Sequence, residues 1–198
     1  MTLIDAPLRH FDNLHWEPGA AGRPIPDLVR DAGLLESRAA AAARFFGSTD
    51  IRIGASWSQF VLCSQLLKVT LGAAYVDGLR VHLDSLLGAG HERRWPVTGT
   101  PRYTPTDDPA GAVVAEILPV LDAMHETLTS FCRLPRGITD GNLAADIVAL
   151  GPKVPGVDVG ELLDRAGVAQ WMTGERRRSC CLYYMAPSKS KCGNCAVR

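Results

Sequence analysis

The stretch Ala55-Ser-Trp-Ser-Gln-Phe60-Val-Leu-Cys-Ser-Gln65-Leu-Leu-Lys-Val-Thr70-Leu-Gly-Ala-Ala-Tyr75-Val-Asp77 decides the fold. Phe60, Cys63, Leu67, Leu71 and Ala74 recur at helical spacing, and Val61, Leu62 and Leu66 widen the apolar stripe. A stripe this wide belongs to a helix enclosed by others. Lys68 is the one charge between Ala55 and Val76, which raises the question of a membrane span. Ser56, Ser58, Gln59, Ser64, Gln65 and Thr70 interrupt the run too often for lipid, so the reading is a buried central helix and no integral membrane segment.

Working outward, Gly78 ends this helix, and Leu79, Val81 and Leu83 alternate with Arg80 and His82 as a short strand with one wet face. Further on, Val97-Thr98 and Arg102-Tyr103 flank a Gly99-Thr100-Pro101 turn, which predicts a small antiparallel sheet with that strand. Asp108 followed by Pro109 opens a second long helix, with Val113, Ile117, Leu121, Met124, Leu128 and Phe131 on its apolar face and a kink expected at Pro119. A shorter helix is predicted from about Asp140 to Leu150. The next runs from an Asp158 cap with Glu161 three residues on, past Trp171, to a stop at Gly174. On the N-terminal side, Pro26 starts a helix over about Asp27–Phe46, bent at Gly33 and ended by Gly47, and the first 25 residues read as loop. The fold class is therefore α+β: mostly α-helical, with a small antiparallel sheet. A helical scaffold over residues 1–174 carries a C-terminal metal-binding segment over 175–198.

Of the 198 residues, 21% are charged and 46% hydrophobic, the usage of an ordinary globular protein. The net charge is zero, yet from Glu175 to Arg198 six basic residues face one acidic. That local patch suits an acidic partner or an anion. Basic runs and aromatic stacking motifs do not recur elsewhere, so no nucleic-acid partner is expected. Residues 1–26 hold Asp5, Arg9, Asp12 and Glu17 and lack the apolar core of a secretion signal, which predicts a cytoplasmic chain with reduced thiols.

Four of the six cysteines fall in Ser179-Cys180-Cys181-Leu182-Tyr183-Tyr184-Met185-Ala186-Pro187-Ser188-Lys189-Ser190-Lys191-Cys192-Gly193-Asn194-Cys195. This Cys-Cys-x10-Cys-x2-Cys spacing suits a four-thiolate metal centre. Adjacent side chains of an extended chain point to opposite faces, so Cys180 and Cys181 reach one site only through a local twist. A two-iron cluster relaxes that demand, because its thiolate positions are spread over a longer core. Gly193 and Asn194 tolerate left-handed backbone, so their turn aims the sulfurs of Cys192 and Cys195 and its own N–H groups inward. Structural zinc, disulfides and unrelated buried thiols remain the alternatives at this point. Against zinc stands the vicinal pair, which is not a zinc knuckle.

The run Arg176-Arg177-Arg178-Ser179-Cys180-Cys181-Leu182-Tyr183-Tyr184, followed by Cys192-Gly193-Asn194-Cys195, resembles the C-terminal 2Fe-2S segment of FhuF-type ferric-siderophore reductases. The resemblance is weaker around Arg52–Tyr75 and Gly141–Ala145. It implies a 2Fe-2S cluster ligated by Cys180, Cys181, Cys192 and Cys195. It also implies a cytoplasmic reductase that passes one electron to Fe(III) in an imported siderophore and releases Fe(II), with no catalytic residue beyond the cluster. A non-enzymatic four-cysteine zinc or iron–sulfur sensing and interaction module is the alternative.

Arg176, Arg177 and Arg178, joined by Lys189 and Lys191, are the candidate docking residues for an acidic electron donor such as a ferredoxin or flavodoxin, or for an anionic ferric chelate. Of Tyr183 and Tyr184, one is expected to pack on the helices and the other to cover the cluster or a ligand. Cys63 and Cys132 lie on apolar stretches and read as buried small hydrophobes. His10, His15, His82, His91 and His125 show no metal-ligand spacing.

Overall fold

The computed structural model describes residues 22–88, 95, 97–187 and 195–196. Most of the loop reading of the first 25 residues, together with His10, His15, His91, Lys189, Lys191 and Cys192, lies outside the described residues.

The chain is α+β and mostly helical. Two short helices come first, α1 (Ile25–Leu28) and α2 (Ala32–Phe45). The helix expected over 27–46 is thus split, and the break precedes Gly33: Asp31 turns extended and caps α2, accepting from Leu34 N at 2.9 Å. The central helix α3 (Ile51–Leu71) begins earlier than its apolar stripe because Asp50 caps it. It runs into a π-helical turn (Gly72–Val76) and stops at Gly78, whose φ of 66° is left-handed. The span Ile51–Val76 is long and apolar enough to cross a membrane, but 72% of its most apolar window is buried inside the protein. It is the axis of the core, packed by α2, α4 (Pro109–Thr129) and α5 (Arg136–Leu150).

Close approach of α2 to α3 rests on Gly54. A Cβ there would stand 1.8 Å from the Ala39 carbonyl oxygen, so only glycine lets the two backbones meet. Asp108 caps α4 as expected, and the helix continues through Pro119. α5 starts earlier than predicted, at Arg136 directly after Pro135. α6 (Val159–Arg165) is capped by Asp158 but ends sooner than expected. Gly167, with φ 66°, stops it; Trp171 closes a separate 3₁₀ turn, and Gly174, with φ 59°, turns a hairpin instead of ending a helix.

The strands form three small antiparallel sheets. β1 (Arg23–Pro24), β3 (Leu87–Gly88) and β4 (Val97–Thr98) make one, with β3 in the middle. β2 (Leu79–His82) pairs with β5 (Arg102–Pro105), Val81 opposite Tyr103. The predicted pairing of the 102–105 strand with the 79–83 strand is present, but 97–98 and 102–103 do not pair with each other. The Gly99 turn hands the chain from one sheet to the next, and Leu83 has already left the strand for a 3₁₀ turn. Glu116 of α4 ties β2 down, accepting from Arg80 Nε at 2.6 Å and Leu83 N at 2.9 Å. The last sheet is the hairpin of β6 (Met172–Thr173) and β7 (Arg176–Arg177), which leads into the cysteine segment.

Candidate metal centre

β7 carries the chain from the helical body to the cysteines, and its pleat turns Arg176 and Arg177 to opposite faces. Arg176 and Arg178 are exposed, whereas Arg177 is 7% exposed and points inward. The docking residues read from the sequence are therefore not equivalent. Arg177 donates from Nη1 to Asn142 Oδ1 of α5 and places its guanidinium 5.5 Å from the Phe60 ring. Arg178 is held by its backbone, N to Trp171 O at 2.7 Å, and its side chain remains at the surface.

Asn142 is the centre of a buried polar network. Its Nδ2 donates to Gln59 Oε1 at 2.7 Å, to Ser56 O at 3.2 Å and to Ser56 Oγ at 3.3 Å. Gln59 Nε2 donates in turn to Thr139 O at 3.4 Å. The Ser56 hydroxyl donates to the Cys181 carbonyl at 2.9 Å, so the network ends on the backbone of a candidate ligand. In a buried setting such satisfied networks specify one arrangement. Directly before Asn142 in α5, Gly141 receives Ser179: a Cβ on Gly141 would lie 1.9 Å from Ser179 Oγ.

The backbone turns left-handed directly after the vicinal pair. Leu182 adopts φ 63°, the sole non-glycine residue with positive φ among the described residues, and its N–H donates to Cys180 Sγ at 3.2 Å. Cys180, Cys181 and Cys195 are all half-buried. Burial pushes the Cys180 thiol up; the Leu182 N–H opposes this, and the neighbouring Cys181 and Cys195 sulfurs add to it. Cys195 therefore lies near enough to Cys180 for its charge to be felt there. No disulfide joins any of the described cysteines, and among the described residues no three His, Cys, Asp or Glu side chains form a closed metal-binding set. Cys63 and Cys132 are buried in the core, as expected.

After the cysteines a 3₁₀ turn (Tyr183–Met185) folds back on α3. Tyr183 lies nearly parallel to Trp57, ring centres 5.3 Å apart at 13°, and Phe46 meets both rings edge-on at 5.1 and 5.0 Å. Tyr184 is 42% exposed, so the two tyrosines divide as their alternation implies.

The cysteine segment now has a match. Residues 177–196 match the FhuF 2Fe-2S C-terminal domain. This is the family that the cysteine spacing resembles, and the match points to a 2Fe-2S cluster as the cofactor of the FhuF segment. No curated protein matches the chain. The donor chemistry fits a cluster: soft sulfur ligands, half-buried, with a backbone N–H already directed at one of them.

The residues that sequence reading missed are those behind the FhuF segment: Ser56, Gln59, Asn142 and Asp146. Their signal was polarity inside apolar helices. Ser56 and Gln59 sit three apart on α3, and Asn142 and Asp146 four apart on α5, so each pair shares a face. Asp146 is 4% exposed; burial pushes its carboxyl up to about 7, against the opposing pull of Arg177, the Cys63 thiol and Lys68.

Proposed function

We propose that the chain is a cytoplasmic ferric-siderophore reductase that takes one electron at a 2Fe-2S cluster held by Cys180, Cys181, Cys192 and Cys195. The electron passes to Fe(III) in an imported siderophore and Fe(II) is released. The observation that carries this reading is the FhuF segment itself, in which Cys180, Cys181 and Cys195 are half-exposed. In this reading residues 1–174 are the body that grips the chelate and residues 175–198 the cluster-bearing segment.

When bound, the cluster supplies a one-electron couple, and siderophores release iron on reduction because they hold Fe(III) far more tightly than Fe(II). The chain's own residues supply position and potential. The Ser56 hydroxyl fixes the Cys181 carbonyl, and the Leu182 N–H stabilises negative charge on the Cys180 sulfur. A hydrogen bond to sulfur, as from Leu182 N–H, favours the reduced state and raises the potential. The buried Arg177 cation acts in the same direction. Arg176 and Arg178, exposed beside the segment, steer an acidic electron donor such as a ferredoxin or flavodoxin, and in this reading Lys189 and Lys191, close by in sequence, add to their charge.

Reduced protein is mixed anaerobically with ferric hydroxamate and ferric catecholate siderophores, and Fe(II) is trapped by a chromogenic chelator. Cluster reoxidation with one Fe(II) formed per cluster is the expected result. A cluster that stays reduced against both classes, or a colourless protein containing zinc, overturns the reading. Alanine at Cys180, Cys181, Cys192 or Cys195 is expected to abolish the visible absorption, while alanine at Cys63 or Cys132 retains it.

A further inference from the structure

A small cleft of about 60 Å³, open to solvent on one side, adjoins the FhuF segment and is lined by Ser56, Trp57, Phe60, Arg177, Cys181 and Tyr183. Its walls are unusual for a surface. Trp57 and Tyr183 stand nearly parallel, Phe60 is tilted 37° to Trp57 at 5.8 Å, and all three are only half-buried. Half-exposed aromatic rings with rigid edge contacts behind them, here from Phe46, present flat apolar area at little cost in side-chain entropy.

One wall is cationic. Arg177 is more than nine-tenths buried, and its Nε has no hydrogen-bond partner among the described residues. Asp146 is the carboxylate that feels Arg177, and because burial pushes its carboxyl up to about 7 it cancels the guanidinium charge only in part near neutral pH. Arg176 and Arg178 add positive charge at the surface outside. A buried cation over an aromatic floor selects a ligand that is both flat and negative.

We infer that this cleft seats one aryl arm of an anionic ferric catecholate, stacked against Trp57, Phe60 and Tyr183 with Arg177 as the charge partner. The inference rests on the reductase reading and extends it to a substrate class. A catecholate arm brings a planar ring, and its tris complex with a trivalent metal carries net negative charge; an aliphatic tris-hydroxamate complex is neutral and has no ring to stack. So small a cleft admits no more than one arm and leaves the rest of the chelate outside. Because Cys181 lines the cleft, an arm seated there lies against a proposed cluster ligand.

Gallium(III) replaces iron in the test, since it is not reduced and so separates binding from electron transfer. Calorimetric titration of the cluster-loaded protein compares the Ga(III) tris-catecholate of a catecholate siderophore with a Ga(III) aliphatic trihydroxamate. The catecholate is expected to bind at least about tenfold more tightly, and Trp57→Leu, Phe60→Leu and Tyr183→Leu are each expected to weaken it by about three- to tenfold. Equal affinity for the two complexes overturns the inference, as does unchanged catecholate binding in variants whose cluster spectrum is intact. If the leucine variants fail to load the cluster, the wild-type comparison decides alone. Reduction of ferric hydroxamate without catecholate binding removes the aryl site and leaves the reductase. Catecholate binding without reduction of its ferric form does the reverse.

Discussion

Ser56 and Cys181 are 125 residues apart in the chain, and the Ser56 hydroxyl donates to the Cys181 carbonyl at 2.9 Å. The bond joins the central helix to the FhuF segment. Ser56→Ala leaves that half-buried carbonyl without this donor and removes an acceptor of Asn142, a loss of about 1–2 kcal/mol. The expected outcome is a protein that still folds but loses its cluster faster, read as the decay of visible absorption in the presence of an iron chelator. Decay at the wild-type rate would show that Ser56 does not secure the segment.

Gly141 and Ser179 form a second joint. Gly141→Ala drives a methyl group into the Ser179 hydroxyl, which would be 1.9 Å away, and overpacking of this kind costs about 1–3 kcal/mol. Ser179 Oγ is buried without a hydrogen-bond partner among the described residues, so Ser179→Ala is expected to be nearly neutral by itself. Combining the two should recover most of the stability lost in Gly141→Ala, measured by thermal denaturation as a double-mutant cycle. Simple additivity would place the clash elsewhere.

Arg176 and Arg178 are exposed and Arg177 is not, so the first two should govern encounter with a donor, while Arg177 holds the network behind the cleft that it lines. Arg176→Gln with Arg178→Gln is expected to slow reduction by an acidic donor several-fold at low ionic strength. The effect should shrink as salt shortens the screening length. Stopped-flow rates across a salt series provide the measurement, and a deficit independent of salt would exclude steering by these two residues. Arg177→Gln should instead lower thermal stability, because it disturbs Asn142 and leaves Asp146 without its cation.

Asp146 sets a pH dependence whose sign follows from burial. Its carboxyl is raised from 3.8 to about 7 in the folded protein, facing Arg177, Cys63 and Lys68. The folded state therefore holds this proton where the unfolded state has released it. The associated stability is fully present below about pH 4 and is lost as pH rises through about 7, at most about 4 kcal/mol in total. Between pH 5 and 8 the wild-type melting temperature should carry a downward contribution that Asp146→Asn lacks. Parallel pH profiles for the two proteins would refute the assignment.

Sequence by itself determined the parts of this protein that local physics controls. The apolar stripe of Phe60, Cys63, Leu67 and Leu71 marks a buried helix because burial follows a 3.6-residue period. Asp108 and Asp158 mark helix starts because a short acidic side chain satisfies the first free N–H groups. Cysteine spacing pointed to the FhuF family, since sulfur ligation tolerates few substitutes. Where two local signals competed, long-range packing chose between them. Gly167 and not Gly174 stops α6, and Val97–Thr98 pairs with Leu87–Gly88 instead of with its neighbour across Gly99.

Only the tertiary structure decided what surrounds the cysteines. Three consecutive arginines are alike as a string of charges, but the fold buries Arg177 and exposes Arg176 and Arg178. Ser56, Gln59 and Asn142 look like incidental polar residues until α3 and α5 bring them together under Cys181. Hydrogen-bond partners more than eighty residues apart leave no local trace, because their pairing depends on how helices cross and not on the order of residues along either one.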